Sequence, residues 1–148
     1  AMDLMGRKIV VNKGCYFELF AGEIADFITQ NQQEPALAEF LPSLAAALER
    51  LADVTELVIE AAGKNPAEIG AAAVDYLDLF GLTAQAYLWA RMVQVAAPKA
   101  AGDSTGFYSA KLKTARFFYQ RQLPQSLSLA EAIRNGSDCM MDVAAGEF

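Results

Sequence analysis

The chain has 148 residues, 54% of them hydrophobic, enough for one domain with a sizeable core and too little for two. With 28 Ala against 10 Gly and 5 Pro, the composition predicts long helices and excludes an all-β sandwich or barrel. The lack of His removes imidazole bases, Ser-His and Cys-His nucleophile pairs, haem ligation through His and the Glu-x-x-His di-iron motif, and a net charge of −6 argues against nucleic acid as a partner.

The acidity is local. Residues 1 to 63 hold 4 basic and 10 acidic side chains, whereas residues 64 to 148 hold 8 of each. Two cysteines, Cys15 and Cys139, form no CxxC or zinc-type cluster. Such sparse usage fits buried or idle thiols in a reducing cytosol, so a cytoplasmic location is expected. The most apolar stretch, residues 69 to 90, contains Asp75 and Asp78, so neither a membrane span nor a signal peptide is expected.

In chain order, Gly6, Arg7, Lys8 and Ile9-Val10-Val11 show no helical repeat and read as an extended lead-in ending near Asn12-Lys13-Gly14. Phe17, Phe20, Ile24, Phe27 and Ile28 then recur at three and four, which predicts an amphipathic helix over residues 15 to 30, ended by Gln30-Asn31-Gln32-Gln33. A second stripe runs through Leu37, Leu41, Leu44, Leu48, Leu51, Thr55 and Val58 to a stop at Gly63-Lys64-Asn65-Pro66. Within it, Pro42 predicts either a kink near residues 38 to 42 or a separate first turn.

Asn65-Pro66-Ala67-Glu68 reads as the start of a third helix, with Asn65 as N-cap, Pro66 at the first helical position and Glu68 reaching back in a capping box. Ile69, Ala73, Tyr76, Leu77, Phe80, Ala84, Tyr87, Leu88, Met92 and Val95 are expected on one face as far as Ala97-Pro98, a helix of roughly 45 to 50 Å. Gly70 and Gly81 inside it predict close approach of another helix. After a loop with Asp103 or Ser104 as N-cap, a fourth helix carries Phe107, Tyr108, Leu112, Ala115, Phe118, Tyr119 and Leu123 and ends at Pro124. A short helix from about Ser128 to Arg134 closes at Asn135-Gly136, and Cys139-Met140-Met141 is expected to fold back on the bundle. The pattern is an all-α, up-and-down four-helix bundle with an extended N-terminal lead-in and a short C-terminal helix.

No dinucleotide fingerprint, Walker loop, nucleophile elbow or zincin motif is present. Lys111, Lys113, Arg116 and Arg121 give the fourth helix a basic side, read first as a solvated face paired with carboxylates on neighbouring helices. The alternative is a site for an anionic nucleotide or coenzyme A phosphate. Asp75 and Asp78 lie three apart on one helix and read as a solvated or salt-bridged pair, short of a metal or third partner for catalysis. Arg91, near Trp89, reads as an ion-pair partner or a snorkelling side chain. Phe117-Phe118-Tyr119 cannot all face one core, so at least one of them must point to a second layer, a partner or a subunit interface. No catalytic, cofactor-binding or metal-ligating residue is assigned.

Asp75-Tyr76-Leu77 with Gly81 and Trp89, then Phe107-Tyr108-Ser109-Ala110-Lys111-Leu112-Lys113-Thr114-Ala115-Arg116-Phe117-Phe118 and Leu123-Pro124, resembles the extra C-terminal domain of a long subgroup of acyl-CoA dehydrogenases. That subgroup includes enzymes resembling 3-methylthiopropanoyl-CoA dehydrogenase. Ala1-Met2-Asp3-Leu4-Met5-Gly6-Arg7-Lys8 looks like the segment that closes the catalytic core in such enzymes.

The resemblance implies a lead-in from an upstream catalytic core over residues 1–12 and a C-terminal helical-bundle domain over residues 13–148. It further implies a flavoprotein parent of fatty acid metabolism that uses FAD and a glutamate base to oxidise an acyl-CoA, with both lying upstream and no cofactor held by this chain. The implied partners are the dehydrogenase core and a second subunit, and the isolated domain is expected to self-associate and to be inactive. The alternative is a free-standing helical module binding an apolar or acyl ligand between its helices.

Overall fold

The computed structural model describes residues 1–143 and 145–147, with the Met141 and Ala145 side chains outside that description. The chain is all-α. Helix α1 spans Cys15–Gln30, α2 Leu41–Lys64, α3 Ala67–Ala100, α4 Phe107–Phe117, α5 Ser126–Arg134 and α6 Asp138–Met141. Helix α3, 34 residues and about 51 Å long at 1.5 Å per residue, is the spine on which the others pack.

The lead-in is helical and not extended. Asp3–Val10 forms a π-helix that buries Met5 and Ile9 against α1, α2 and α3. Met5 and Ile9, four apart, share one side of this helix and so reach the core together. Lys13 and Gly14 then take positive φ, and Gly14, at φ 78°, brings its Cα side close to Ile59, where a Cβ would stand 3.3 Å from Cδ1.

The two predicted stripes meet inside the bundle. Phe17, Ile24 and Phe27 of α1 are buried, as are Leu41, Leu44, Leu51, Thr55 and Val58 of α2. Pro42 takes the second of the two expected outcomes. Residues Pro35–Leu37 form a separate 3₁₀ turn, and α2 begins at Leu41 with the proline in its first turn, where its missing N–H costs no helical bond.

The fourth helix is a composite. Helix α4 stops at Phe117, a π-turn covers Phe118–Gln122, a 3₁₀ turn covers Leu123–Gln125, and α5 begins at Ser126. Pro124 therefore sits within this run, in the 3₁₀ turn, and does not end it as expected. The composite runs back along the spine, α4 against its C-terminal half and α5 against its N-terminal half. The π-turn has a local consequence for the aromatic triplet: Phe118 and Tyr119, adjacent in sequence, are both buried, and Phe117 is the one that points out.

Two core clusters result. One gathers Ile24, Leu37, Phe40, Leu44, Val93 and Phe118. The other gathers Met5, Leu51, Val54, Tyr76, Leu79 and Ile133. Phe20 packs against both and stacks on Phe80 with ring centroids 4.6 Å apart. Every buried side-chain N or O among the described residues has a hydrogen-bond partner.

Candidate docking surface

Apolar residues surround α3, and the bundle covers only part of them. Ala73, Tyr76, Tyr87 and Val93 face the core, whereas Leu77, Leu88, Met92 and Val95, expected on that same face, are exposed. With Val74 they form an apolar stripe along the outer side of the spine. Leu88, Met92 and Val95 follow at i, i+4 and i+7 and are 52%, 36% and 55% exposed.

The first turn of α4 adds a second wall. Phe107, expected in the core, is 56% exposed, and between it and the α3 residues lies a groove of about 580 Å³ floored by Ala96 and Tyr108. Arg91 and Lys111 line it, and Lys99 reaches it through the ring of Tyr108. The Lys111 ammonium lies 5.3 Å from the Phe107 ring centre, Lys99 lies 5.4 Å from that of Tyr108, and the Arg91 guanidinium lies 5.6 Å from that of Tyr87.

Glu23 is the carboxylate nearest to Arg91, at 4.0 Å, and it also accepts the Tyr87 hydroxyl at 2.8 Å. Burial and the neighbouring Glu23 together push the Tyr87 hydroxyl above its usual range. Asp103 is committed to the loop before α4, accepting the backbone N–H of Thr105 at 2.8 Å and of Tyr108 at 2.9 Å. These bonds, led by that from the Thr105 hydroxyl, hold its carboxyl below the usual range. Asp103 thus anchors the turn, but neither it nor Ser104 is the expected N-cap, because Gly106 occupies that position with a left-handed φ.

The other singled-out residues disperse. Arg116 makes a bidentate contact with Glu39, Nε donating to Oε2 at 3.0 Å and Nη2 to Oε1 at 2.8 Å, which raises its pKa further. That pair is the carboxylate-paired reading of the basic side. Lys111 turns to the groove instead, and Lys113 and Arg121 are exposed. Asp75 is half-buried and Asp78 exposed, and among the described residues no group of three His, Cys, Asp or Glu is placed to hold a metal ion. Cys15 and Cys139 are free and exposed, not buried. Arg91 is exposed, and its cation–π contact and distant ion pair fit the snorkelling reading. Gly70 and Gly81 do not mark close approach, because a Cβ at either would meet nothing within 4 Å.

A second groove, of about 630 Å³, is lined by Asp53, Glu56, Glu60, Lys64, Glu68 and Asp138 among others. Several of its charges are already engaged: Glu60 with Lys64 at 2.7 Å, Asp53 with Arg134 at 3.8 Å, and Glu68 with Ser137 at 2.6 Å. The α3–α4 groove differs in joining a continuous apolar floor to a cationic rim. Sequence reasoning assigned its residues to the core because a 3.6-residue repeat cannot separate two apolar faces of one helix.

The family model described as acetyl-CoA dehydrogenase C-terminal like matches residues 20–144 of the chain. No curated protein gives a match to it.

Proposed function

Because the chain belongs to the acetyl-CoA dehydrogenase C-terminal-like family, we propose that it serves as a non-catalytic domain that packs on the catalytic core of an FAD-dependent acyl-CoA dehydrogenase, or on a neighbouring subunit. In this reading the parent oxidises an acyl-CoA thioester to the 2,3-enoyl-CoA, works in the cytoplasm, and falls in the subgroup resembling 3-methylthiopropanoyl-CoA dehydrogenase. The subgroup assignment rests on the resemblance carried by residues 1 to 8 and 75 to 124.

The observation that carries the reading is the uncovered stripe of Val74, Leu77, Leu88, Met92 and Val95 on the helix that otherwise organises the bundle. Exposed large apolar side chains grouped on one side of a helix, as Leu88, Met92 and Val95 are beside Phe107, mark a site for another protein surface. In this reading the flavin and its base belong to the catalytic core of the parent. No residue of this chain is therefore assigned to the flavin or to the oxidation.

Deletion of residues 9 to 148 from the full-length parent tests the proposal. Loss of native assembly, with a lowered melting temperature or turnover, is expected. Unchanged assembly, stability and turnover would rule out the docking role.

A further inference from the structure

The stripe on α3 is not electrically uniform. Its N-terminal half carries Asp75 and Asp78, whereas its C-terminal half, beginning about 15 Å further along the helix at Leu88, is bordered by Arg91, Lys99 and Lys111. No carboxylate lines the groove at that end. Among the described residues, neither Lys99 nor Lys111 has a carboxylate within 4.0 Å, and both ammonium groups are held over aromatic rings. In a chain of net charge −6, this is a local concentration of positive charge around an apolar floor.

The shape discriminates between occupants. A drug-sized ligand is held when most of its surface is enclosed, but Leu88, Val95 and Phe107 are each more than half exposed, so the groove's walls are open. An extended partner lying across those walls buries them as a small molecule cannot. Leu88, Met92 and Val95 present the i, i+4, i+7 spacing that accepts an amphipathic helix, with Phe107 as the opposing wall.

We propose that the α3–α4 groove receives an acidic amphipathic helix of the dehydrogenase core or its neighbouring subunit, with apolar anchors between Leu88, Val95 and Phe107 and carboxylates against Arg91, Lys99 and Lys111. This deepens the docking reading and rests on it. Charge complementarity at the rim sets orientation and partner choice, while the apolar floor supplies the buried area.

The test uses two synthetic helical peptides with leucines at i, i+4, i+7 and i+11, one flanked by Glu and the other by Lys, titrated into the 148-residue chain by fluorescence anisotropy. The Glu peptide is expected to bind about tenfold more tightly than the Lys peptide, and the double substitution Lys99→Glu/Lys111→Glu is expected to reverse that preference. Leu88→Ala/Val95→Ala is expected to weaken whichever peptide binds, with circular dichroism confirming that each variant stays folded.

Equal binding of the two peptides, a preference unmoved by the charge reversal, or no binding of either overturns the proposal. So does sedimentation showing a dimer that Leu88→Ala/Val95→Ala abolishes, because the groove then belongs to a second copy, and so does dodecanoate binding in place of both peptides. A negative peptide result alongside an intact deletion effect in the parent removes the groove assignment and leaves docking standing. Loss of the deletion effect removes docking itself.

Discussion

Glu68 and Ser137 are joined across 69 residues: the serine hydroxyl donates to Oε1 at 2.6 Å, and the serine backbone N–H donates to the same oxygen at 3.3 Å. The Asn65 side-chain amide donates to the serine oxygen at 3.0 Å. The first turn of α3 thus closes on the segment after α5, and Ser137 is buried there. Ser137→Ala leaves the carboxylate without its closest donor and is predicted to cost about 1–2 kcal/mol, read from urea unfolding. Faster amide exchange over residues 135 to 141 is expected with it.

Gly136 makes the same closure possible. Its φ of 69° is a left-handed conformation, and a Cβ there would stand 3.2 Å from Glu68 Oε2. Gly136→Ala is therefore predicted to destabilise by more than about 1 kcal/mol, whereas Gly81→Ala, in open space within α3, is predicted to stabilise by about 0.5–1 kcal/mol. Paired thermal melts of the two variants check the opposite signs.

A buried hydroxyl pair gives the bundle an alkaline limit. Thr55 donates to the Leu51 carbonyl at 2.6 Å, which spends its one proton, so the Tyr76 hydroxyl 2.7 Å away donates to Thr55. Burial pushes the Tyr76 pKa up to about 12, and burial also raises that of Tyr119, whose hydroxyl donates to the Ala86 carbonyl. In both cases the folded state holds the proton more tightly than the unfolded chain. Their contribution is complete below the ordinary tyrosine pKa of 10.0 and is lost as pH rises toward about 12. Urea midpoints compared at about pH 8 and about pH 11 should fall, and Tyr76→Phe should reduce that fall by about 1 kcal/mol, with Tyr119 and Tyr87, also raised, contributing to the remainder.

The bidentate Arg116–Glu39 pair ties α4 to the turn before α2. Both side chains are nearly half exposed, so Glu39→Gln is predicted to cost about 0.5 kcal/mol, shrinking in high salt. Denaturation at low and high ionic strength separates this pair from a packing effect, which salt would leave unchanged.

Much of the fold was legible in the sequence, because Phe17, Ile24 and Phe27, and Leu44, Leu51 and Val58, keep a clean 3.6-residue period with polar residues between them. Asn65 was legible as well: its Oδ1 accepts the Ala67 N–H at 3.1 Å and caps α3. The capping box was not realised. The Asn65 N–H is taken by the Ala61 carbonyl of α2, which frees Glu68 for Ser137, a partner no local pattern reveals.

The N-terminal helix was missed because Met5 and Ile9 are a single i, i+4 pair in a short segment, and the turn at Phe118–Gln122 because a π-turn shifts the side-chain repeat away from the one searched for. The docking stripe hid behind composition. Large apolar residues occur all round helix α3, and only tertiary packing decides that Tyr76 goes inward while Leu77 and Leu88 stay out. Lys111 was singled out on the basic side of α4, but its place beside Phe107 at the end of an apolar groove depends on the crossing of two helices.

Single-cysteine labelling at position 88 tests the central claim most directly. In a Cys15→Ser/Cys139→Ser background, Leu88→Cys is introduced into the 148-residue chain, alone and in the proposed acyl-CoA dehydrogenase parent, and maleimide labelling rates at that position are compared. Rapid labelling in the isolated chain, where Leu88 is 52% exposed, and strong protection in the full-length enzyme are predicted. Equal rates in the two would contradict docking through the outer face of α3.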